Sequence, residues 1–267
     1  GVLALLLRVL VRAKSKRNYF VGVLPGLLAL ANLVFHLAVL GVIGADPLAA
    51  MHLALGLIVV LETIIGGRVI PMFTFNVIQG IKQWRDKRLD WAAAIATGIA
   101  LLLWAAGAGA WAAVLSFAAA VFQGLRVGGW NPWATRKVPL LWILHLSYMW
   151  IPIGLALIGL AQLGLLPRTA GIHALAIGAT GGLIIGMITR TALGHTGRML
   201  AAGPLETVAY ALVQLAALTR VLAVAAVPIA ATGGIHAAAT LWALGFLLYL
   251  WRYTPFLLKA RVDGKEG

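Results

Sequence analysis

The chain contains no cysteine and few acids: seven aspartates and glutamates in 267 residues, against 21 lysines and arginines. Without cysteine there are no disulfides, thiolate metal sites or cysteine nucleophiles, so any metal must be held by His, Met, carboxylate or backbone oxygen. Charge of either sign is scarce at 10% of residues, where a globular chain carries about 25%. Apolar residues make up 62% and the mean hydropathy is +0.99. A soluble domain could not cover its surface with so little polar matter, so the sequence describes an integral membrane protein. The formal charge of +14 would suggest nucleic acid in a soluble chain. Here the basic residues sit between apolar runs rather than on one polar face, and nucleic acid is not expected as a partner. The lipid bilayer is.

Apolar runs long enough to span a bilayer, about 20 residues, lie near 19–40, 48–67, 91–109, 111–128, 138–164, 171–190, 204–227 and 235–252. The fold class expected is all-α: a polytopic transmembrane bundle of eight spans in one domain over residues 1–267. GVLALLLRVL at the start is too short to cross and reads as a partial leading helix whose beginning lies outside the sequence. Asp46-Pro47, Asn131-Pro132 and Gly203-Pro204 punctuate the connections. NVIQGIKQWRDKRLD (76–90) suggests an interfacial helix.

Basic residues fall on alternate connections. Nineteen of 21 lie on one side, and only Arg168 and Arg220 fall outside the pattern. The positive-inside rule makes that side, and the C-terminus, cytoplasmic.

Sorted by depth, His36, His52, His173 and His236 lie near the non-cytoplasmic surface, while His145 and His195 lie toward the cytoplasmic side. Imidazoles at one depth on several helices are how bundle-core metal sites are built, and imidazole suits both copper and haem iron. Interfacial histidines also bond to backbone or water, and both readings stand. Asn32, one turn before His36, could orient a ligand from the outer shell. On the sixth span Gly178, Gly182 and Gly186 form a small-residue track for a neighbouring helix. His173, Thr180, Met187, Thr191 and Arg198 share the opposite stripe. Glu62, the one carboxylate well inside a span, is a functional candidate. Its position near the cytoplasmic end of the second span equally suits snorkelling to the interface. His145, Tyr148, Met149 and Pro152 crowd one side of the fifth span.

GGRVIPMFTFN (66–76) and HALAIGATGGLIIGMITRTALGHTGR (173–198) resemble the NnrS family, bacterial inner-membrane proteins associated with denitrification and nitric-oxide stress. NLVFH (32–36), HLALG (52–56), HLSYMWIP (145–152) and the closing RVDGKEG add to the likeness, which runs through essentially the whole chain. The resemblance implies a twelve-helix bundle of which these spans are the C-terminal part, with further histidines on the preceding helices. It implies haem and copper, and carries over His36, His52 and His173 as metal ligands. Arg68, His145, Arg190, His195 and Arg198 follow as cofactor-binding residues, supported by Asn32, Met187 and Tyr148. HTGR reads as a tight turn on Gly197 holding His195 and Arg198 against the bundle. Three arginines, Arg68, Arg190 and Arg198, would gather at one end and clamp haem propionates or a small anion such as nitrite; anchoring of helix ends is the alternative. The function expected is binding or processing of nitric oxide or a related nitrogen species, with a redox partner possible and enzymatic status open. A secondary transporter, and more remotely a sensor, are the competing functions.

Overall fold

The computed structural model describes residue 8, residues 19–225 and residues 228–264, with side chains for 8, 23–225 and 232–264. It is all-helical, without strands among those residues. Eight helices follow in order: α1 (Tyr19–Val39), α2 (Pro47–Val77), α3 (Lys87–Ala105), α4 (Ala110–Gly129), α5 (Pro139–Gln162), α6 (Arg168–His195), α7 (Pro204–Ala225) and α8 (Pro228–Leu257). Seven are long and apolar enough to cross a membrane, and α1 contributes a shorter apolar stretch, Val23–Val39. The chain is a multi-pass membrane protein. The leading segment and Arg12, Lys14, Lys16, Arg17 and Lys265 lie outside the described residues; Arg8 is exposed.

Successive helices pack against one another through short connections, as antiparallel neighbours do. The end of the bundle where α2, α4, α6 and α8 finish carries most of the basic residues and is called the basic end below. Burial grades across the bundle: 67% of the apolar window of α5 is inside, against 11% for α8. Trp130, Leu144, Tyr148, Ile151, Leu155, Ile158 and Leu175 form the continuous core. Lipid tails are as apolar as leucine, so close approach of backbones rather than expulsion of water holds such helices together. The glycine track of α6 does this work on α5: a Cβ on Gly178 would overlap Trp150, one on Gly182 would overlap Ser147 and the Gln214 amide, and one on Gly186 would stand 2.8 Å from Leu144.

The ends of the helices follow from their caps. Asp46 accepts from the Leu48 amide at 2.9 Å with Pro47 in the first turn of α2. At α7 the Glu206 carboxylate reaches back to the Gly203 amide at 2.8 Å. Two expectations need correction. The second span does not stop at residue 67 but continues through Pro71 to Val77. The Pro71 carbonyl accepts from Gln83 Nε2 at 3.2 Å, which ties the following connection back to the helix. Residues 78–86 then form no interfacial helix. Gly80 turns the chain at φ +71°, and the Trp84 amide donates to the Gly129 carbonyl at 2.8 Å. Asp86 caps α3, accepting from the amides of Arg88 and Leu89. The backbone of 78–86 is thus non-helical and pinned to the end of α4, which leaves no room for the expected element.

α6 is not uniform. Ala174–Gly181 is a π-helix between two α-helical stretches, a local widening often found at functional sites.

Candidate functional site

His145 is the most enclosed imidazole, at 2% exposure. Its Nε2 lies 2.8 Å from Thr74 Oγ1, and that hydroxyl donates its proton to the Ile70 carbonyl at 2.9 Å. A hydroxyl has one hydrogen, so Nε2 must be the protonated nitrogen and donate to Oγ1. The tautomer is thereby set, and the Nδ1 lone pair stands in the core with no hydrogen-bond partner among the described residues. Trp130 approaches this ring edge-on at 6.1 Å.

The other histidines are placed separately. His36 is exposed on α1, edge-on to Phe35, and Asn32 is exposed on the same helix. His52 is half-buried on α2 and stacks on Trp104 at 4.2 Å. His173 accepts from Arg220 Nε at 3.2 Å through Nε2, so its proton sits on Nδ1 and its lone pair is already engaged. His236 is exposed. Among the described residues no three His, Asp or Glu side chains gather into a set able to hold one ion.

The three arginines do not meet around one centre either, because each packs against a different helix. Arg190 lies over Phe73 of α2 at 3.7 Å, and Arg198 over Phe256 of α8 at 3.9 Å. Arg68 lines a cleft of about 180 Å³ with Lys87, Asp90, Trp91 and Arg126. The HTGR turn forms as expected, with Gly197 at φ +72°, but its occupant is the chain's own tail. Arg261 clasps Asp263 in a fork (2.9 and 2.7 Å), which pushes the guanidinium pKa further up, and donates to the His195 carbonyl at 3.1 Å. The Val262 amide donates to the Thr196 carbonyl at 3.3 Å. The His195 side chain is exposed, not held against the bundle as expected. HTGR and RVDG are two halves of one docking contact.

Charge accounting by side missed the most connected polar group. Arg126, 5% exposed on α4, pairs with Asp90 of α3 and donates to the Thr63 carbonyl and the Tyr148 hydroxyl, each at 2.9 Å. Tyr148 donates onward to Gln123 Oε1 at 2.9 Å, and Gln123 Nε2 donates to the hydroxyls of Thr63 and Thr97. The glycines of GGRVIP make room for it. A Cβ on Gly66 would come within 2.9 Å of the Tyr148 ring, and one on Gly67 would overlap the Arg126 guanidinium. Tyr148 thus sits in this polar web. The available signal was the pair Gln123 and Arg126 on an otherwise apolar helix.

Glu62 also moves. With α2 running from 47 to 77, it lies at the middle of the helix, not near one end. It lines an apolar cavity of about 150 Å³ with Leu61, Val69, Leu144, Leu183 and Met187. Its Oε2 and the Thr180 hydroxyl, from the π segment, are both buried, and each is the other's nearest polar company. Snorkelling is excluded by that burial.

No curated protein and no solved structure matches the chain. The family described as NnrS protein does, over residues 1–261, and the chain belongs to the NnrS family.

Proposed function

We propose that this protein is a haem- and copper-containing membrane protein that binds or processes nitric oxide or a related reactive nitrogen species at the bacterial inner membrane. The observation that carries the reading is His145: a buried imidazole whose tautomer is fixed by Thr74 and whose Nδ1 lone pair is unclaimed. A ligating histidine is held in this way, its other nitrogen bound so that the coordinating one is oriented and basic. His36 and His52 are the further candidates, since neither imidazole is engaged by a hydrogen bond among the described residues. In the twelve-helix bundle expected of the family, the exposed face of α1 would bring His36 to a neighbouring helix. His173 would serve only if Arg220 released it. Haem, when bound, supplies an iron with a position open to a diatomic ligand. The protein's part is to orient the imidazole, exclude water from it, and hold anionic groups. Arg68 and Lys87 suit the last task, as both stand on the 180 Å³ cleft and neither is in an ion pair among the described residues. A redox partner and turnover would follow from such a site.

The test is the absorption spectrum and metal content of the purified protein, reduced and with nitric oxide added. A haem band that shifts with the gas is expected. His145→Ala should lower haem occupancy, and Thr74→Val should shift the band by freeing the tautomer. A protein purified without haem or copper from cells replete in both would end this reading.

A second reading, proton-coupled transport of a small molecule or ion, is favoured by one observation: the Glu62 carboxylate buried at mid-helix opposite Thr180. Intramembrane acids of this kind mark ion pathways. In proteoliposomes carrying a pH-sensitive dye, Glu62→Gln should abolish proton movement if transport is the function. Proton movement unaffected by this change would remove the support.

A further inference from the structure

Arg220 stands on α7 five residues before the end of the helix remote from the basic end, one of the two cations outside the charge pattern. It lines a cavity of about 340 Å³ between α6, α7 and α8. His173 is the one other ionisable side chain on its walls. The remainder is apolar: Ile177 of α6, and Ile235, Ala239 and Trp242 of α8. A guanidinium in such a setting is costly unless an anion answers it. Its partner among the described residues, the His173 imidazole, accepts one hydrogen bond and supplies no charge.

Among the described residues no carboxylate pairs with it. Asp46 and Asp86 cap helices. Asp90, Glu206 and Asp263 pair with Arg126, Arg252 and Arg261. Glu62 lines the separate cavity against α2. The described residues thus leave the Arg220 charge for an anion that they do not supply.

We propose that this cavity binds an anionic phospholipid, its phosphate on Arg220 and an acyl chain along Ile177, Ile235, Ala239 and Trp242. A free inorganic anion would exchange its hydration for apolar walls and two polar groups, which is unfavourable. An anion carrying its own hydrocarbon meets both halves of the site. Ile235 is 37% exposed, so the cavity opens sideways to the bilayer. The Arg220 Nε–H is occupied by His173, which leaves the terminal nitrogens of the fork for phosphate oxygens. The inference is independent of haem or copper.

Native mass spectrometry of the full chain, released from detergent with equal phosphatidylglycerol and phosphatidylcholine, tests it. The wild-type protein should retain one phosphatidylglycerol in preference, and Arg220→Gln should lower that retention roughly tenfold or more. Arg168→Gln, a change to the other off-pattern arginine, exposed and outside the cavity, should retain it. Ala239→Trp fills the trough while leaving the charge, and should also lose the lipid. This second variant decides the matter if Arg220→Gln does not fold, judged by helical circular dichroism. Equal retention of the two lipids by the wild type, retention unchanged in either cavity variant, or displacement by millimolar inorganic phosphate would each overturn the proposal, the last by making the site one for soluble anions.

Discussion

Gly67→Ala isolates the contact between the GGRVIP motif and Arg126. In most helices this change stabilises by about 1 kcal/mol, because alanine loses less backbone entropy than glycine. Here the new Cβ would overlap Nη2 and Cζ of Arg126 and reach 2.7 Å from Nη1. Backbone on one side and a buried guanidinium on the other leave no small adjustment. The guanidinium must leave, and with it go the Asp90 ion pair and the bonds to the Thr63 carbonyl and Tyr148. Breaking a buried pair costs about 3–5 kcal/mol. Asp90 is 27% exposed and recovers part of its hydration, which puts the loss toward the lower end. Setting the helix gain against it, the net destabilisation is about 2–3 kcal/mol.

The assay is reversible unfolding in mixed micelles by SDS titration, followed by circular dichroism. Two controls sharpen it. Gly124→Ala on α4, where a Cβ meets nothing within 4 Å, should show the gain of about 1 kcal/mol alone. In an Arg126→Ala background the clash is absent, so Gly67→Ala should become stabilising by about 1 kcal/mol, giving a coupling of about 3–4 kcal/mol between the positions. A Gly67→Ala protein as stable as the wild type, or a coupling near zero, refutes the reasoning.

Gly182→Ala should cost about 1–3 kcal/mol in the same titration, because its Cβ displaces the Gln214 amide and breaks its bonds to Ser147 (3.0 Å) and Trp150 (2.8 Å). Asp86→Ala should cost about 1 kcal/mol through the lost cap of α3. Gly197→Ala imposes a side chain at φ +72° and places a Cβ 2.7 Å from the Asp263 carboxyl carbon. Limited proteolysis after Leu257 should accelerate in that variant while helical content is unchanged; unaltered cleavage would mean that the tail does not depend on the turn.

Features set by local chemistry were legible in the sequence. Asp46-Pro47 and Gly203-Pro204 start helices where capping rules place them, and the glycine spacing at 178, 182 and 186 marks the face that meets α5. Pro71 misled, because a proline reads as a helix end, whereas α2 runs on through it to Val77. That misplaced boundary carried Glu62 to the membrane edge on paper, whereas the helix holds it at mid-span. The π segment has no sequence signature at all, and Thr180 could not be placed opposite Glu62 without it.

The histidines show why the candidate site was less legible than the fold. Distance from a helix end gives depth, and depth is one coordinate. His36, His52 and His173 share it, yet they sit on α1, α2 and α6 with different neighbours: a phenylalanine edge, an indole face and a guanidinium. Rotation about the helix axis and the order of helices in the bundle decide whether rings at one level can face each other, and neither follows from span boundaries. Arg126 was obscured by the same projection. Counting charge by side merges residues that anchor a helix end in water with one that enters the core, and the two differ only in what the adjacent helix offers. For Arg126 that offer was written in α2, as two consecutive glycines directly before Arg68. A small-residue gap on one helix together with a lone polar pair on another is therefore the pattern that marked buried charge in this chain, and depth alone was not.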